Sequence, residues 1–133
     1  MVKNKFNIPE SWRKHRIKCF AYWFFHWFYV NKIALSHFRK VYPFHDIEKP
    51  FKLLFGVPYE KVSKDHVKNN RHHPQGKDPS MVDWTEVVCD WEASGYTKPN
   101  SLLDAYETMM MFYPKFDKYI IPVLEDGNLM KGR

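Results

Sequence analysis

Apolar residues along the chain recur at helical spacing, and they do not alternate with polar residues as they would in a half-buried strand. The repeat is clearest within residues 83–93, where its members are Trp84, Val87, Val88 and Trp91. The best strand candidate is KYIIPV, residues 118–123, but Pro122 argues against a central position in a sheet. The pattern therefore predicts an all-α fold.

Prolines, glycines and polar turn residues divide this pattern into about six helices of one compact bundle. The expected helical segments are 11–34, 48–54, 59–69, 83–93, 102–112 and 115–124, with a second short helix over 36–41 directly after the first. YPFHD, residues 42–46, is expected to form a turn, and residues 69–80 a loop, which at this length is often functional. Residues 1–133 are predicted to form a single domain, with residues 1–9 and 125–133 as flexible termini.

The most apolar stretch is CFAYWFFHWFYV, residues 19–30. It is shorter than the roughly 20 apolar residues that span a bilayer. It contains His26 and is soon followed by Asn31 and Lys32. We therefore expect a core helix buried nearly all round, and no membrane span.

The net charge of +6 comes from 21 basic and 15 acidic residues and favours an anionic partner. The charge alone does not choose among nucleotides, nucleic acid and membrane surfaces, but no run of five like charges marks a nucleic-acid tail, so nucleic acid is not the favoured partner. The many aromatic side chains could also leave an apolar patch for homo-oligomerisation.

Two cysteines, Cys19 and Cys89, occur in a chain without a recognisable signal peptide. This usage suggests free thiols in a reducing, cytoplasmic compartment. Cys89 lies in an apolar helical stretch, so we expect it to pack in the core.

Candidate metal ligands are spread over several of the predicted helices and turns: His26, His45, Asp46, His66, His72, His73 and Asp90. Asp90 falls at the edge of a buried helical face, where a carboxylate is costly unless it is paired or metal-bound. Imidazole and carboxylate together suit divalent ions, and the lack of a cysteine cluster argues against a structural zinc site. Taken singly, each residue also fits an ordinary role as a satisfied core histidine, a helix cap, an ion-pair partner or solvated surface.

The order His, His-Asp, His, His, Asp resembles the HD-domain superfamily of helical, metal-dependent phosphohydrolases. The chain is similar in particular to a small family of bacterial and phage proteins within or near that superfamily. The resemblance covers about residues 24–119. It rests on HDIEK (45–49), DHVKNNRHHP (65–74) and MVDWTEVVCDW (81–91), of which the two later motifs are the specific ones.

The resemblance implies a metal-dependent phosphohydrolase of a nucleotide or other small phosphate ester, with one or two divalent ions (Mn, Mg, Zn, Fe or Co). The first ion would be held by His26, His45, Asp46 and Asp90. A second would be held by His66 and one of His72 or His73, with Asp46 bridging. His37 competes with His26 for the first position, because it lies eight residues before His45.

Other residues receive supporting roles from the same resemblance. Lys49 and Arg71 would bind phosphate, the first as a point charge and the second as a fork. Asn69 or Asn70 would orient the substrate. Glu86, one turn before Asp90, would either orient a ligand histidine or face solvent.

Two positions depart from the family pattern. Glu48 stands where a small residue is usual, and it puts negative charge near the proposed anionic substrate. PQGKDP follows the His-His pair without the further histidine that the family often has, so the second metal position or a substrate contact is open.

Two other functions fit the sequence. A di-iron oxygenase could use the same ligands, and would show iron with oxygen-dependent substrate loss. A non-enzymatic basic module could bind nucleic acid or a host protein, and would show strongly salt-dependent binding without a metal requirement.

Overall fold

A computed structural model describes residues 8–75, 77–98 and 103–130. Six α-helices lie within these ranges: α1 (Cys19–Phe38), α2 (Glu48–Leu54), α3 (Tyr59–Asn69), α4 (Trp84–Thr97), α5 (Ala105–Phe112) and α6 (Asp117–Asp126). Short 3-10 helices occur at Glu10–Arg13, Pro79–Met81 and Pro114–Phe116. No strand occurs among the described residues. The predicted all-α fold of about six helices is confirmed.

The two ends of α1 differ from the predicted segments. The helix continues through Ser36 to Phe38, where two helices were expected, and it closes when Arg39 adopts a left-handed conformation (φ 56°). The Lys40 N–H then donates to the Ala34 carbonyl at 3.2 Å, as in a Schellman motif. At the start, the His15 imidazole accepts the N–H groups of residues 17 and 18 at 3.1 and 3.0 Å. This side-chain contact competes with helix formation, so α1 begins only at residue 19.

The predicted bounds of α2 and α3 agree with the structure, and the YPFHD segment forms a turn. Helix α4 begins after Asp83, whose carboxylate accepts the Glu86 N–H at 3.1 Å, and runs four residues beyond the predicted end. KYIIPV is helical and lies in α6, with Pro122 inside the helix. Helix α5 begins later than predicted, at residue 105, and residue 102 lies outside the described residues.

Helices α1 and α4 pack side by side and form one core. The rings of Tyr29 and Tyr96 stack at 4.7 Å with an interplanar angle of 7°. Cys89 is fully buried in this seam, as expected from its apolar surroundings. The expectation that α1 is buried all round is wrong, because Phe24 and Phe28 are 49% and 44% exposed on its opposite face. Among the described residues, no helix is both long and apolar enough to cross a bilayer.

A second core joins α4, α5 and α6. Its fully buried members are Val88, Ala105, Met109, Ile120 and Leu124, with Leu129 nearly so. Within the segment 125–133, expected to be flexible, α6 continues to Asp126 and the Leu129 N–H donates to the Leu124 carbonyl at 2.7 Å. At the other end Ile8 is 3% exposed. The rest of the two expected termini, residues 1–7 and 131–133, lies outside the described residues.

Asp104 stabilises the start of α5 through a capping box. Its carboxylate accepts the Glu107 N–H at 2.8 Å, and the Glu107 carboxylate accepts the Asp104 N–H at 3.3 Å. We expect Asp104→Ala to lower the free energy of unfolding by about 1–2 kcal/mol, because a buried amide loses its acceptor. Urea unfolding followed by circular dichroism measures this loss. The matched control is Asp65→Ala, which removes a surface ion pair with Lys61 and should cost no more than about 0.5 kcal/mol. Equal losses in the two variants would contradict the capping role.

Candidate metal centre

Histidine and aspartate side chains from five parts of the chain converge beside the α1–α4 seam. His26 comes from α1 and Asp90 from α4. The turn before α2 contributes His45 and Asp46, whereas α3 contributes His66 and the loop after it His72. All six side chains are buried. The fold therefore gathers residues that are up to 64 positions apart in sequence.

The first group surrounds one oxygen of Asp90. Its Oδ1 lies 2.7 Å from His26 Nε2 and 3.1 Å from His45 Nε2. The two Nε2 atoms are 3.2 Å apart. Asp46 Oδ2 completes the group, 3.4 Å from His45 Nε2 and 3.7 Å from His26 Nε2.

The second group surrounds the other oxygen of Asp46. Its Oδ1 lies 2.8 Å from His66 Nε2 and 2.9 Å from His72 Nε2, and these nitrogens are 3.1 Å apart. The half-buried His73 ring lies beside both imidazoles, with centroid separations of 4.7 and 4.5 Å. Asp46 therefore presents one oxygen to each imidazole pair.

Several of these short contacts lack the geometry of hydrogen bonds. Asp46 Oδ1 is buried and accepts no well-formed hydrogen bond, although two imidazole nitrogens lie within 3 Å. Two Nε2 atoms at about 3.2 Å can share a proton only if one of the rings donates. With a cation between these atoms, each nitrogen and each oxygen can donate a lone pair to the ion. The residues therefore fit a divalent ion, and the two buried groups could hold a metal ion.

The carboxylates of the cluster raise the pKa values of two of its histidines. Burial disfavours the charged form of His45, but the Asp46 charge and contacts with Asp90 and Glu86 outweigh it and raise the pKa of His45 to about 10. Burial likewise opposes charge on His72, but Asp46 and Glu86 raise its pKa to about 9. In the metal-free protein, protons on these imidazoles balance the carboxylates. A bound cation would supply the same positive charge and displace those protons.

Two further carboxylates hold the outer nitrogens of the imidazoles. Glu86 Oε2 lies 2.7 Å from His45 Nδ1 and 3.1 Å from His72 Nδ1, so one side chain touches a ligand from each group. Of the two roles that the sequence allowed for Glu86, the structure shows contact with histidines. Such contacts fix the ring orientation and the tautomer of metal-ligating histidines.

Glu48 contacts His66 Nδ1, and the Asn70 amide donates to Glu48 Oε1 at 3.1 Å. The Glu48 carboxylate therefore lies on the outer side of an imidazole, and the expectation that it places charge near a substrate stays a prediction. Asn70 belongs to the same arrangement, whereas Asn69 is exposed at the end of α3.

The structure also separates residues that the sequence left as alternatives. His37 is exposed, and its Nδ1 lies 2.7 Å from the Gly127 carbonyl, so it is not part of either group. His26 lies in the first group, beside His45 and Asp90. Of the adjacent pair in the loop, His72 makes the short contact with Asp46, and His73 lies next to it.

The two predicted phosphate binders are placed differently. Lys49 Nζ lies 3.8 Å from Asp46 Oδ2. Arg71 is exposed, and its Nε donates to the Met81 carbonyl at 3.4 Å. Two other cations, Arg13 and Lys98, share a small cavity with His26 and Asp90. Sequence patterns gave no signal for these two, because the 3-10 helix at residues 10–13 and the end of α4 meet only in the folded chain.

Asp46 has a left-handed backbone conformation, with φ of 57°. Aspartate and asparagine tolerate this region better than most other residues, at a cost of about 1–2 kcal/mol. This strained backbone places the shared carboxylate between the two imidazole pairs.

Comparisons of the chain with protein-family models, with curated proteins and with solved structures found no significant match.

Metal binding is expected to depend on Asp46. Asp46→Asn keeps a residue that tolerates the left-handed backbone, but it removes the negative charge shared by both groups. We therefore expect this variant to lose most of the Mn²⁺ that the native protein retains after soaking and desalting. Elemental analysis measures the retained metal, and circular dichroism checks the fold. The control Asp65→Asn changes a surface carboxylate of α3, 30% exposed, and should retain the native amount. Full retention by Asp46→Asn would contradict this assignment.

Glu86 is expected to act on both groups through their histidines. Glu86→Ala should weaken metal binding about 10- to 100-fold, because the outer nitrogens of His45 and His72 lose their common partner. Competition with a chelating dye measures the affinity. Glu86→Gln retains one oxygen acceptor and should lie between the native protein and Glu86→Ala. The control Glu60→Ala changes an exposed residue of α3 and should have no effect. Equal affinity in all variants would remove Glu86 from the site.

Proposed function

We propose that the chain is a metal-dependent phosphohydrolase that acts on a nucleotide or another small phosphate ester. The observation that carries this proposal is the buried Asp46 carboxylate, whose two oxygens each face a separate pair of imidazole nitrogens. A carboxylate shared in this way is typical of sites that hold two divalent ions. Membership of the HD-domain superfamily is part of the same proposal and is supported by the order of the ligands along the chain.

We assign the first ion to His26, His45, Asp46 and Asp90, and the second to Asp46, His66, His72 and His73. A mixed imidazole and carboxylate set suits Mn, Fe, Co or Zn, and also accepts Mg less well. Divalent ions held there would lower the pKa of a water molecule and polarise the phosphate group.

The chain's own residues would prepare the site for this chemistry. Glu86 and Glu48 hold the imidazole rings in a fixed orientation, so the ligands need little rearrangement when a substrate binds. Lys49 lies at the edge of the site, where its ammonium group can contact a phosphate oxygen. Burial of the ligands excludes bulk water and strengthens every electrostatic contact made inside.

One observation favours oxidation as the second candidate. The group that includes His66, His72 and His73 offers three imidazoles, and a nitrogen-rich set suits iron better than magnesium. A di-iron oxygenase would use the same ligands.

The experiment is an assay of phosphate release from phosphomonoesters and nucleotides by protein loaded with Mn²⁺, Mg²⁺, Zn²⁺ or Fe²⁺. We expect turnover with at least one ion without oxygen, and a loss of about 100-fold or more in Asp46→Asn, because the shared ligand also sets the site's charge. The control Asp65→Asn should keep native kcat/KM.

Failure to release phosphate from any ester with any of these ions would contradict the proposal. Equal turnover by Asp46→Asn and the native protein would contradict it as well. Substrate loss that requires both iron and oxygen would favour the oxygenase.

A further inference from the structure

Three basic side chains meet two metal-site carboxylates in one small cavity. Its lining includes Arg13, Lys49 and Lys98 on the basic side, and His26, Asp46 and Asp90 on the side of the first group. Lys49 is part of the proposed function, whereas Arg13 and Lys98 have no role in it so far.

Arg13 packs against α1 through the ring of Tyr22. Its guanidinium carbon lies 5.7 Å from the centroid of the Tyr22 ring, a cation–π distance. Tyr22 in turn stacks on His26, with ring centroids 6.3 Å apart and planes within 10° of parallel. The guanidinium is thereby linked through one ring to a ligand of the first group.

Lys98 lines the same cavity from the end of α4. Burial, together with the nearby charge of Arg13, lowers the pKa of its ammonium group. With Lys49, the lining carries three basic groups against two carboxylates, so any bound divalent ion makes the cavity strongly positive.

The size of the cavity limits what the anion can be. The volume is about 50 Å³, which exceeds the roughly 10–15 Å³ that one water needs but is too small for a nucleoside. A compact tetrahedral oxyanion fits this space. Arginine offers two parallel N–H donors to such a group, and lysine adds a point charge.

We propose that Arg13 and Lys98 form an oxyanion-binding site above the first metal group and hold the phosphate of the substrate there. The inference rests on the proposed function, which it deepens by naming the residues that recognise the phosphate. It also moves the arginine role away from Arg71, whose guanidinium lies on the surface beside Met81.

The test measures binding of inorganic phosphate to the metal-loaded full chain by isothermal titration calorimetry. We expect Arg13→Met and Lys98→Met each to raise the Kd about tenfold or more, since each removes a charge-assisted contact. Metal content should stay native in both variants. Arg13→Lys should bind phosphate more tightly than Arg13→Met, because it restores the charge without the fork. The control is Arg71→Met, which should keep the native Kd.

The inference is overturned if the metal-loaded native protein binds no phosphate at millimolar concentration. It is also overturned if Arg13→Met and Lys98→Met keep the native Kd, or if Arg71→Met weakens binding as much as they do. Phosphate binding that depends on Arg13 and Lys98, in a protein that hydrolyses no ester, would sustain the oxyanion site and end the proposed function. Hydrolysis with native kcat/KM in both variants would sustain the function and end the inference.

Discussion

A buried carboxylate shared by two imidazole pairs is the constraint on which the rest of this molecule depends. Asp46 is 7% exposed, and both of its oxygens face histidine nitrogens rather than water. A carboxylate in such a place is costly unless positive charge accompanies it. The surrounding histidines, and any cation that they bind, supply that charge. The left-handed backbone at Asp46 is the local cost of aiming the carboxylate correctly.

The hydrophobic core and the polar cluster support one another. The seam between α1 and α4, with Tyr29 stacked on Tyr96, sets the distance between the two helices. His26 and Asp90 are placed on facing sides of that seam and meet at 2.7 Å. Around this cluster, the carboxylates of Glu86 and Glu48 contact the outer nitrogens of the imidazoles. The polar part of the interior therefore extends one layer of side chains beyond the histidines. Charge and packing therefore select the same arrangement of the helices.

Part of this arrangement is readable from the sequence. The bounds of α2 and α3 follow from prolines at or just before their first turns and from glycine or asparagine near their ends. The end of α1 could not be predicted in this way, because Arg39 takes the left-handed position that glycine usually occupies. The exposed aromatic face of α1 was also missed, since aromatic content alone does not say which side meets a partner helix.

The candidate site, too, was only partly predictable from the sequence. The candidate histidines and aspartates could be named because their order along the chain is unusual, and all seven lie in the two neighbouring groups of the structure. The role of Glu48 could not be predicted, because a carboxylate next to a metal site can face either the substrate or a ligand. The placement of Arg13 and Lys98 could not be predicted for a different reason. They lie 85 positions apart and come together only through the packing of the chain onto α1.

The most direct test of the shared carboxylate is anomalous X-ray scattering from crystals of the protein soaked in Mn²⁺. We expect two anomalous peaks, one beside His26 and His45 and the other beside His66 and His72, with Asp46 between them. Absence of both peaks in crystals with high Mn²⁺ occupancy elsewhere, or peaks only at surface carboxylates, would contradict it.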